Sequence, residues 1–103
     1  MTDKDLTAPH VRKILDISTA HVSEATSWYL EEWAINGKGL AIVYEKGEYG
    51  WLVHVPGEPS HEVEDTFPAD LRACMEHARS LDCDWIMFDR DGITIDALPS
   101  YEW

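Results

Sequence analysis

The amino-acid sequence predicts a single α+β domain in which two helices cover one face of a mostly antiparallel sheet. The 103 residues fit one domain and are enough to bury a core without a disulfide or a metal. Segments with strand character alternate with helical patterns in the order βαββαβ, followed by a short final strand. This order is typical of the ferredoxin-like arrangement.

A strand and a helix are predicted in the first third of the chain. Residues 1–10 are expected to form a loose lead-in, and the apolar segment 11–17 (VRKILDI) predicts the first strand. The periodicity of residues 20–35 favours a helix that stops at Asn36-Gly37. Three residues are alternatives for its N-cap: Ser18, Thr19 and Ser23. Five residues form its expected buried side: Val22, Ala25, Tyr29, Leu30 and Trp33.

A hairpin and a loop are predicted in the middle of the chain. The apolar runs 40–45 and 50–55 are joined by the glycine-containing loop 46–49 (KGEY), which is typical of a hairpin. Pro56-Gly57 ends the second of these strands. The acidic stretch 58–65 then predicts a loop, with four acids and no base.

The last third predicts a second helix and a hairpin. The helix covers residues 67–81, and Thr66 is its expected cap. Its expected buried stripe is Leu71, Cys74, Met75, Ala78 and Leu81. Residues 84–89 are apolar on both sides, which is typical of a strand inside a sheet. Asp91-Gly92 predicts a turn that returns residues 93–95 to this strand.

One face of the predicted sheet has no helix and requires a cover. Either Trp85 and Met87 or Ile86 and Phe88 point to this face, because side chains alternate along a strand. The aromatic tail 98–103, a second copy of the chain or another protein is the expected cover.

The charge of the chain is strongly negative and unevenly distributed. Twenty acids and eight bases give −12. Residues 1–57 carry −3 (eight acids, five bases), and residues 58–103 carry −9 (twelve acids, three bases). Such a surface repels nucleic acid and anionic membranes and attracts basic proteins. The alternative is that the charge only maintains solubility.

The sequence also predicts a cytoplasmic location. Its N-terminus lacks the apolar run of a signal peptide, and no stretch approaches the roughly 20 apolar residues of a membrane span. Cys74 and Cys83 do not make the disulfide framework of a secreted mini-protein, so we expect reduced thiols.

One catalytic motif is present in part. Residues 85–94 (WIMFDRDGIT) match the first motif of haloacid-dehalogenase-like phosphatases, in which Asp89 would be the nucleophile and Asp91 the general acid/base. That family supplies a lysine and further acids downstream, whereas only nine residues follow Thr94 and none is a lysine. A simple Asp-Gly turn is therefore the favoured interpretation, and we expect a protein that is not an enzyme.

Metal sites are not predicted either. The Asp89–Gly92 segment fits part of a calcium loop, but Met87 and Leu98 occupy the two anchoring positions. Cys74, His77 and Cys83 lack the close spacing of a zinc site. Weak binding of a divalent cation at Asp89 and Asp91 stays open, and no cofactor is expected.

Several segments resemble a known family. These are STAHVSEATSWYLEEW, GEYGW, PADLRACMEHARSLDCDWIMFDRDG and LPSYEW. They are similar to small uncharacterised bacterial proteins, a domain of unknown function that is often encoded on plasmids, prophages and integrative elements. The resemblance extends from Ile17 onward and implies a bacterial mobile-element setting. It supplies no activity, so it assigns no functional residue.

The charge and this setting together predict a binding function. We expect an inhibitor of the anti-CRISPR or anti-restriction type, which presents carboxylates where a basic defence complex would hold nucleic-acid phosphates. Ten acids are the expected contacts: Glu58, Glu62, Glu64, Asp65, Asp70, Asp82, Asp84, Asp89, Asp91 and Asp96. Trp28 and Trp103 are the expected apolar anchors. The main alternative is a homodimeric interaction module, an antitoxin or an accessory regulator.

Overall fold

The residues that the structure describes form four strands and three α-helices. The computed structural model describes residues 11–37, 39, 41–58 and 61–103, and for His61 and Glu62 the backbone alone; the predicted lead-in, residues 1–10, lies outside this part. The elements are β1 (Ile14–Ser18), α1 (Glu24–Asn36), β2 (Val43–Glu45), β3 (Gly50–His54), α2 (His61–Glu64), α3 (Ala69–Ser80) and β4 (Trp85–Asp89). The predicted α+β class and the roughly ferredoxin-like order are confirmed, with α2 as an addition.

The sheet has the order β1-β4-β3-β2. Strand β4 is parallel to β1 and antiparallel to β3, and β2 completes the sheet as the outer strand of the β2–β3 hairpin. The prediction that residues 84–89 lie inside the sheet is therefore confirmed, since β4 has a neighbour on each side. Its two apolar faces match this central position.

The core lies between the helices and one face of the sheet. Val53, Ile86 and Phe88 point to this covered face and are fully buried. Helices α1 and α3 bury Leu30 and Leu71 against them in one apolar cluster. Strand alternation then turns the other side chains of β3 and β4 to the opposite, open face.

Helix α1 begins later than predicted, and its buried side matches the prediction only in part. Residues 19–21 form a 3-10 turn, and Ser23 then accepts a hydrogen bond from the Thr26 backbone as the N-cap. Val22 and Leu30 are buried and Trp33 packs against the core, as predicted, whereas Ala25 and Tyr29 are exposed. Thr26 and Ser27 are buried instead, because the Ser27 hydroxyl donates to the Glu24 carbonyl and that of Thr26 has a carboxylate partner. Gly37 ends the helix in the left-handed conformation, as predicted.

The start of α3 also differs from its prediction. The expected loop 58–65 contains the short helix α2, and Pro68 rather than Thr66 occupies the N-cap position of α3. The Thr66 hydroxyl donates to the Val63 carbonyl and so belongs to the end of α2. Within α3, the predicted buried stripe is confirmed except at Leu81, which follows the helix and is exposed.

The segment after β4 does not return to that strand. The predicted final strand, 93–95, is absent, because the Ile93 carbonyl accepts from the Ser18 backbone at 2.8 Å and the chain passes to the end of β1. This crossing needs Gly92, where a Cβ would lie 2.8 Å from the Ile17 carbonyl oxygen. The aromatic tail docks on the body of the domain, since the Tyr101 backbone donates to the Ala20 carbonyl at 2.7 Å.

Candidate functional site

A cleft of about 530 Å³ lies between α1, the β2–β3 hairpin and the C-terminal tail. It opens beside the carboxyl ends of β1 and β4, where Ser18 and Arg90 contribute to its wall. Its volume lies within the range of roughly 300–1,000 Å³ that is typical of ligand pockets. We call it the acidic cleft because its walls carry three carboxylates: Glu31, Glu45 and Glu48.

Four aromatic rings line the acidic cleft together with these carboxylates. They belong to Tyr49, Trp51, Tyr101 and Trp103. Trp51 is half-buried, and the other three rings are exposed. Aromatic faces attract cations through their quadrupole, so rings and carboxylates favour the same kind of ligand.

The tail that carries two of the rings is fixed by a buried histidine. His21 is 1 % exposed, and its Nδ1 lies 2.7 Å from the Pro99 carbonyl oxygen. Its Nε2 accepts a hydrogen bond from the Ile95 backbone at 2.9 Å, so Nδ1 carries the proton and donates to Pro99. The Trp103 indole adds a hydrogen bond to the Val22 carbonyl at 2.9 Å. These contacts make the tail a defined wall.

The hairpin wall already shows how a ring in the cleft binds cations. The Tyr49 ring has the Lys46 ammonium 5.7 Å and the Arg90 guanidinium 5.5 Å from its centroid. Both distances fall within the range of cation–π contacts. Lys46 also pairs with Asp89 at 3.3 Å.

The electrostatics of the cleft favour a positively charged ligand. Three carboxylates face one guanidinium, Arg90, which leaves a formal charge of −2 on the walls. The whole molecule adds its own charge of −12 to the attraction. The arrangement can therefore hold a lysine or arginine side chain between rings and carboxylates.

The structure does not gather the ten predicted acids onto one surface. Asp82 and Asp84 precede β4, whereas Asp89 is its last residue and Asp91 follows it. The five-residue strand between them spans roughly 16 Å, so the two pairs lie at opposite ends of the sheet. Asp96 is exposed on the segment that leads to the tail.

Three of the predicted acids, which lie on or beside α2 and α3, have partners within the fold. Glu64 is buried and paired with Arg79. Asp65 lies 3.7 Å from Arg72. Asp70 accepts three hydrogen bonds, from the Ser23 backbone at 2.7 Å, the Thr26 hydroxyl at 2.8 Å and the Leu71 backbone at 3.0 Å. The buried pair of Glu64 and the hydrogen bonds of Asp70 stabilise the fold, whereas the exposed pair of Asp65 contributes little.

The remaining predicted residues have mixed positions. Glu58 is exposed and lines a second groove of about 350 Å³ together with Phe67 and Met75. The side chain of Glu62 lies outside the described residues. Trp28 is 64 % exposed on α1, away from the cleft walls, whereas Trp103 lines the acidic cleft. One predicted anchor therefore belongs to the site.

The three glutamates of the acidic cleft were missed because they lie in the less acidic half of the chain. A charge summed along the sequence gives residues 1–57 little weight. Glu48 and Tyr49 do belong to the GEYGW segment that carried the family resemblance. That segment was the available signal, but nothing in it indicates that α1 and the tail approach the hairpin.

The Asp-x-Asp-Gly segment forms a turn, as its chemistry indicated. Asp89 Oδ1 accepts from the Asp91 backbone at 2.9 Å, which is an Asx-type turn. This hydrogen bond lowers the pKa of Asp89, and the neighbouring Lys46 lowers it further, so the carboxylate is held in its charged form.

The cysteines are buried and unpaired. Burial raises the pKa of the Cys74 thiol to about 12, and nearby Asp70 adds to the effect. A thiol that stays neutral is a poor nucleophile and a poor metal ligand. Among residues 11–37, 39, 41–58 and 61–103, no group of three or more His, Cys, Asp or Glu side chains is arranged to hold a metal ion.

Comparison with known proteins places the chain in a family without assigning it an activity. Residues 14–103 match the C-terminal domain of DUF5983, a family of unknown function, and the chain belongs to that family. The resemblance to an uncharacterised family is thus confirmed. No curated protein and no solved structure matches the chain. In the part of the chain that the structure describes, no helix is long and apolar enough to cross a bilayer.

Proposed function

We propose that this DUF5983 domain is a protein-binding module whose acidic cleft receives a basic segment of a partner protein. One observation carries this proposal: Glu31, Glu45 and Glu48 share a cleft of about 530 Å³ with four aromatic rings. The domain acts by binding rather than by catalysis. A cytoplasmic setting, expected from its unpaired thiols, is part of the proposal.

Two ranges of electrostatic interaction support a basic partner. The net charge of −12 accelerates the approach of any positively charged protein and is screened by salt. The cleft then acts at short range, where a lysine or arginine stem packs on Tyr101 or Trp103 and its charged end meets a carboxylate. The long-range attraction raises the association rate, and the short-range contacts provide specificity.

A charge-position experiment tests the cleft directly. The probe is a fluorescein-labelled oligo-arginine peptide, and its affinity is measured by fluorescence anisotropy over a range of salt concentrations. The test variant is Glu31→Lys/Glu48→Lys, which reverses two carboxylates of the cleft. We expect its affinity to fall by roughly a hundredfold, as for the loss of two short-range charge contacts.

The matched control has the same formal charge but leaves the cleft intact. It is Glu24→Lys/Glu76→Lys, which reverses two exposed carboxylates on α1 and α3 that do not line the cleft. We expect the control to lose only a few-fold in affinity, through the long-range term. Equal losses in the two variants would show that the peptide responds to net charge alone and would refute a specific site.

The aromatic half of the site has its own test. Tyr101→Ala removes a ring from the cleft without changing any charge. We expect weaker peptide binding by about fivefold to tenfold, in the range of a cation–π contact. Trp28→Ala, which removes an exposed ring outside the cleft, is the control and should leave the affinity unchanged.

A narrower proposal keeps the predicted role as an inhibitor of a basic nucleic-acid-binding defence complex, encoded by a mobile element. It is supported by the overall charge and by the preference of the cleft for cations. In this role the domain displaces labelled DNA from such a complex, and Glu31→Lys/Glu48→Lys abolishes the displacement. Binding of the domain beside DNA, without displacement, would contradict it.

A further inference from the structure

The open face of the sheet carries two cross-strand rows of mostly apolar side chains. The strand register defines them, and each row runs from β1 through β4 and β3 to the β2 segment. The first row is Ile14, Trp85, His54 and Ile42. The second row is Asp16, Met87, Leu52 and Tyr44.

These rows lie on the surface of the monomer. Ile14, Ile42 and Tyr44 are 48 %, 53 % and 57 % exposed. Trp85 lies between rings of its neighbours, with centroids 6.1 Å from Tyr44 and 5.0 Å from His54. Helices α1 and α3 pack on the covered face, so neither shields this patch. A contiguous exposed apolar patch of this kind is typical of a protein–protein interface.

The open face is poor in charge on a molecule that is otherwise rich in it. Asp16 is the one acid among the eight residues of the two rows, although the chain carries −12. The adjoining row is polar, and its Lys46 and Asp89 neutralise each other at 3.3 Å. Like charges repel wherever two acidic surfaces meet, so a second copy can approach closely at this face.

We propose that a second copy of this chain covers the open face, related by a two-fold axis that runs along the strands between β3 and β4. This axis places β1 of one copy over β2 of the other and β4 over β3. Ile14 then faces Ile42, and Met87 faces Leu52. Asp16 faces Tyr44, whose hydroxyl can donate to the carboxylate.

The same patch is therefore its own complement, which is the requirement for a two-fold interface. Apolar side chains meet apolar ones, and the one carboxylate of each copy meets a hydrogen-bond donor, so the interface leaves no charge without a partner. Two sheets stacked in this way lie roughly 10 Å apart, and the twist of each sheet sets the angle between their strands.

The dimer leaves the acidic cleft free. Glu45 and Trp51 belong to the cleft and point to the covered side, since Trp51 is paired with Phe88 in the register. The inference is thus independent of the proposed function. A dimer with two clefts can hold a partner with two basic segments more tightly than one cleft can.

Analytical ultracentrifugation of the full chain over a wide range of concentrations is the test. We expect a species of twice the 11.8 kDa chain mass, which persists at high salt because its interface is apolar. The test variant is Leu52→Lys, which places a positive charge at the centre of the patch and makes the molecule less negative. It should raise the dissociation constant about a hundredfold or more.

The control variant is Trp28→Lys, which makes the same kind of change on exposed α1 and should remain dimeric. Circular dichroism shows whether each variant is folded, and the half-buried Leu52 position tolerates a long side chain that reaches solvent. A wild-type chain that stays monomeric at all concentrations would overturn the inference. So would a folded Leu52→Lys variant that dimerises like the wild type.

A second pair of variants tests the orientation. Tyr44→Phe removes the hydroxyl that is expected to meet Asp16 of the other copy, and it should weaken the dimer about fivefold. The same change should have no further effect once Asp16→Ala has removed the acceptor. If the two effects simply add, the two residues do not meet, and the proposed axis is wrong.

Discussion

The two faces of the sheet carry similar side chains but differ in how deeply those side chains are buried. Ile86 and Phe88 are fully buried under the helices, whereas Trp85 and Met87, from the same strand, are half-buried on the open face. Apolar content therefore does not separate the residues that stabilise the domain from those that remain available for contact. What separates them is the side on which the helices pack.

The largest expected effect is a difference in stability between variants at two neighbouring residues of β4. Phe88→Ala removes a fully buried ring and should lower the free energy of unfolding by about 4 kcal/mol. Met87→Ala, one position earlier on the open face, should cost about 1 kcal/mol, because its side chain is already partly solvated. Urea unfolding at low protein concentration measures both. Equal losses would mean that the open face is packed as tightly as the covered one.

A smaller difference in stability is expected between two ion pairs, one of them buried and the other at the rim of the open face. Arg79→Ala leaves the buried carboxylate of Glu64 without its cation and should cost about 3 kcal/mol. Lys46→Ala breaks the pair with Asp89 at the rim of the open face, where both groups are solvated, and should change stability little. Thermal unfolding of the two variants at equal salt provides the measurement. A Lys46→Ala variant as unstable as Arg79→Ala would contradict this distinction.

The smallest effect is a pH dependence that comes from the covered side. The pKa of the Cys74 thiol is about 12 in the folded chain and near its ordinary value of 9.0 in the unfolded chain. Between these values the folded state holds the extra proton, so stability should fall as pH rises above about 9. Cys74→Ala should reduce this alkaline loss, as measured by urea unfolding at neutral pH and at about pH 10. An identical loss in both proteins would assign the effect to other groups.

Elements with a strong pattern of their own could be predicted from the sequence. Strand β4 is apolar on both sides, the hairpin has a glycine loop, and α3 has a clear apolar stripe. The buried side of α1 could be predicted only in part, since Thr26 and Ser27 are buried through hydrogen bonds rather than through apolar character. Residues 93–95 also could not be predicted correctly from their own pattern. Ile93 and Ile95 form hydrogen bonds with Ser18 and His21, which lie far away in the sequence, rather than with β4.

The candidate site depends even more on tertiary structure. Its carboxylates come from α1 and from the hairpin, and two of its rings come from the tail. Trp103 alone was predicted as a contact residue. Charge counted along the chain identifies an acidic protein correctly, but it cannot show which carboxylates converge on one site. Nor can it show which carboxylates, like that of Glu64, form an ion pair inside the fold.

The carboxylate of Asp70 links the starts of both long helices. It accepts from the backbone of Ser23, at the N-cap of α1, and from that of Leu71, in the first turn of α3. Helix α1 therefore depends on a residue 47 positions further along the chain to complete its first turn. During synthesis, a nascent chain that ends before α3 would lack this contact, so we expect α1 to become stable only when α3 emerges. The two helices then form in one cooperative step rather than in chain order.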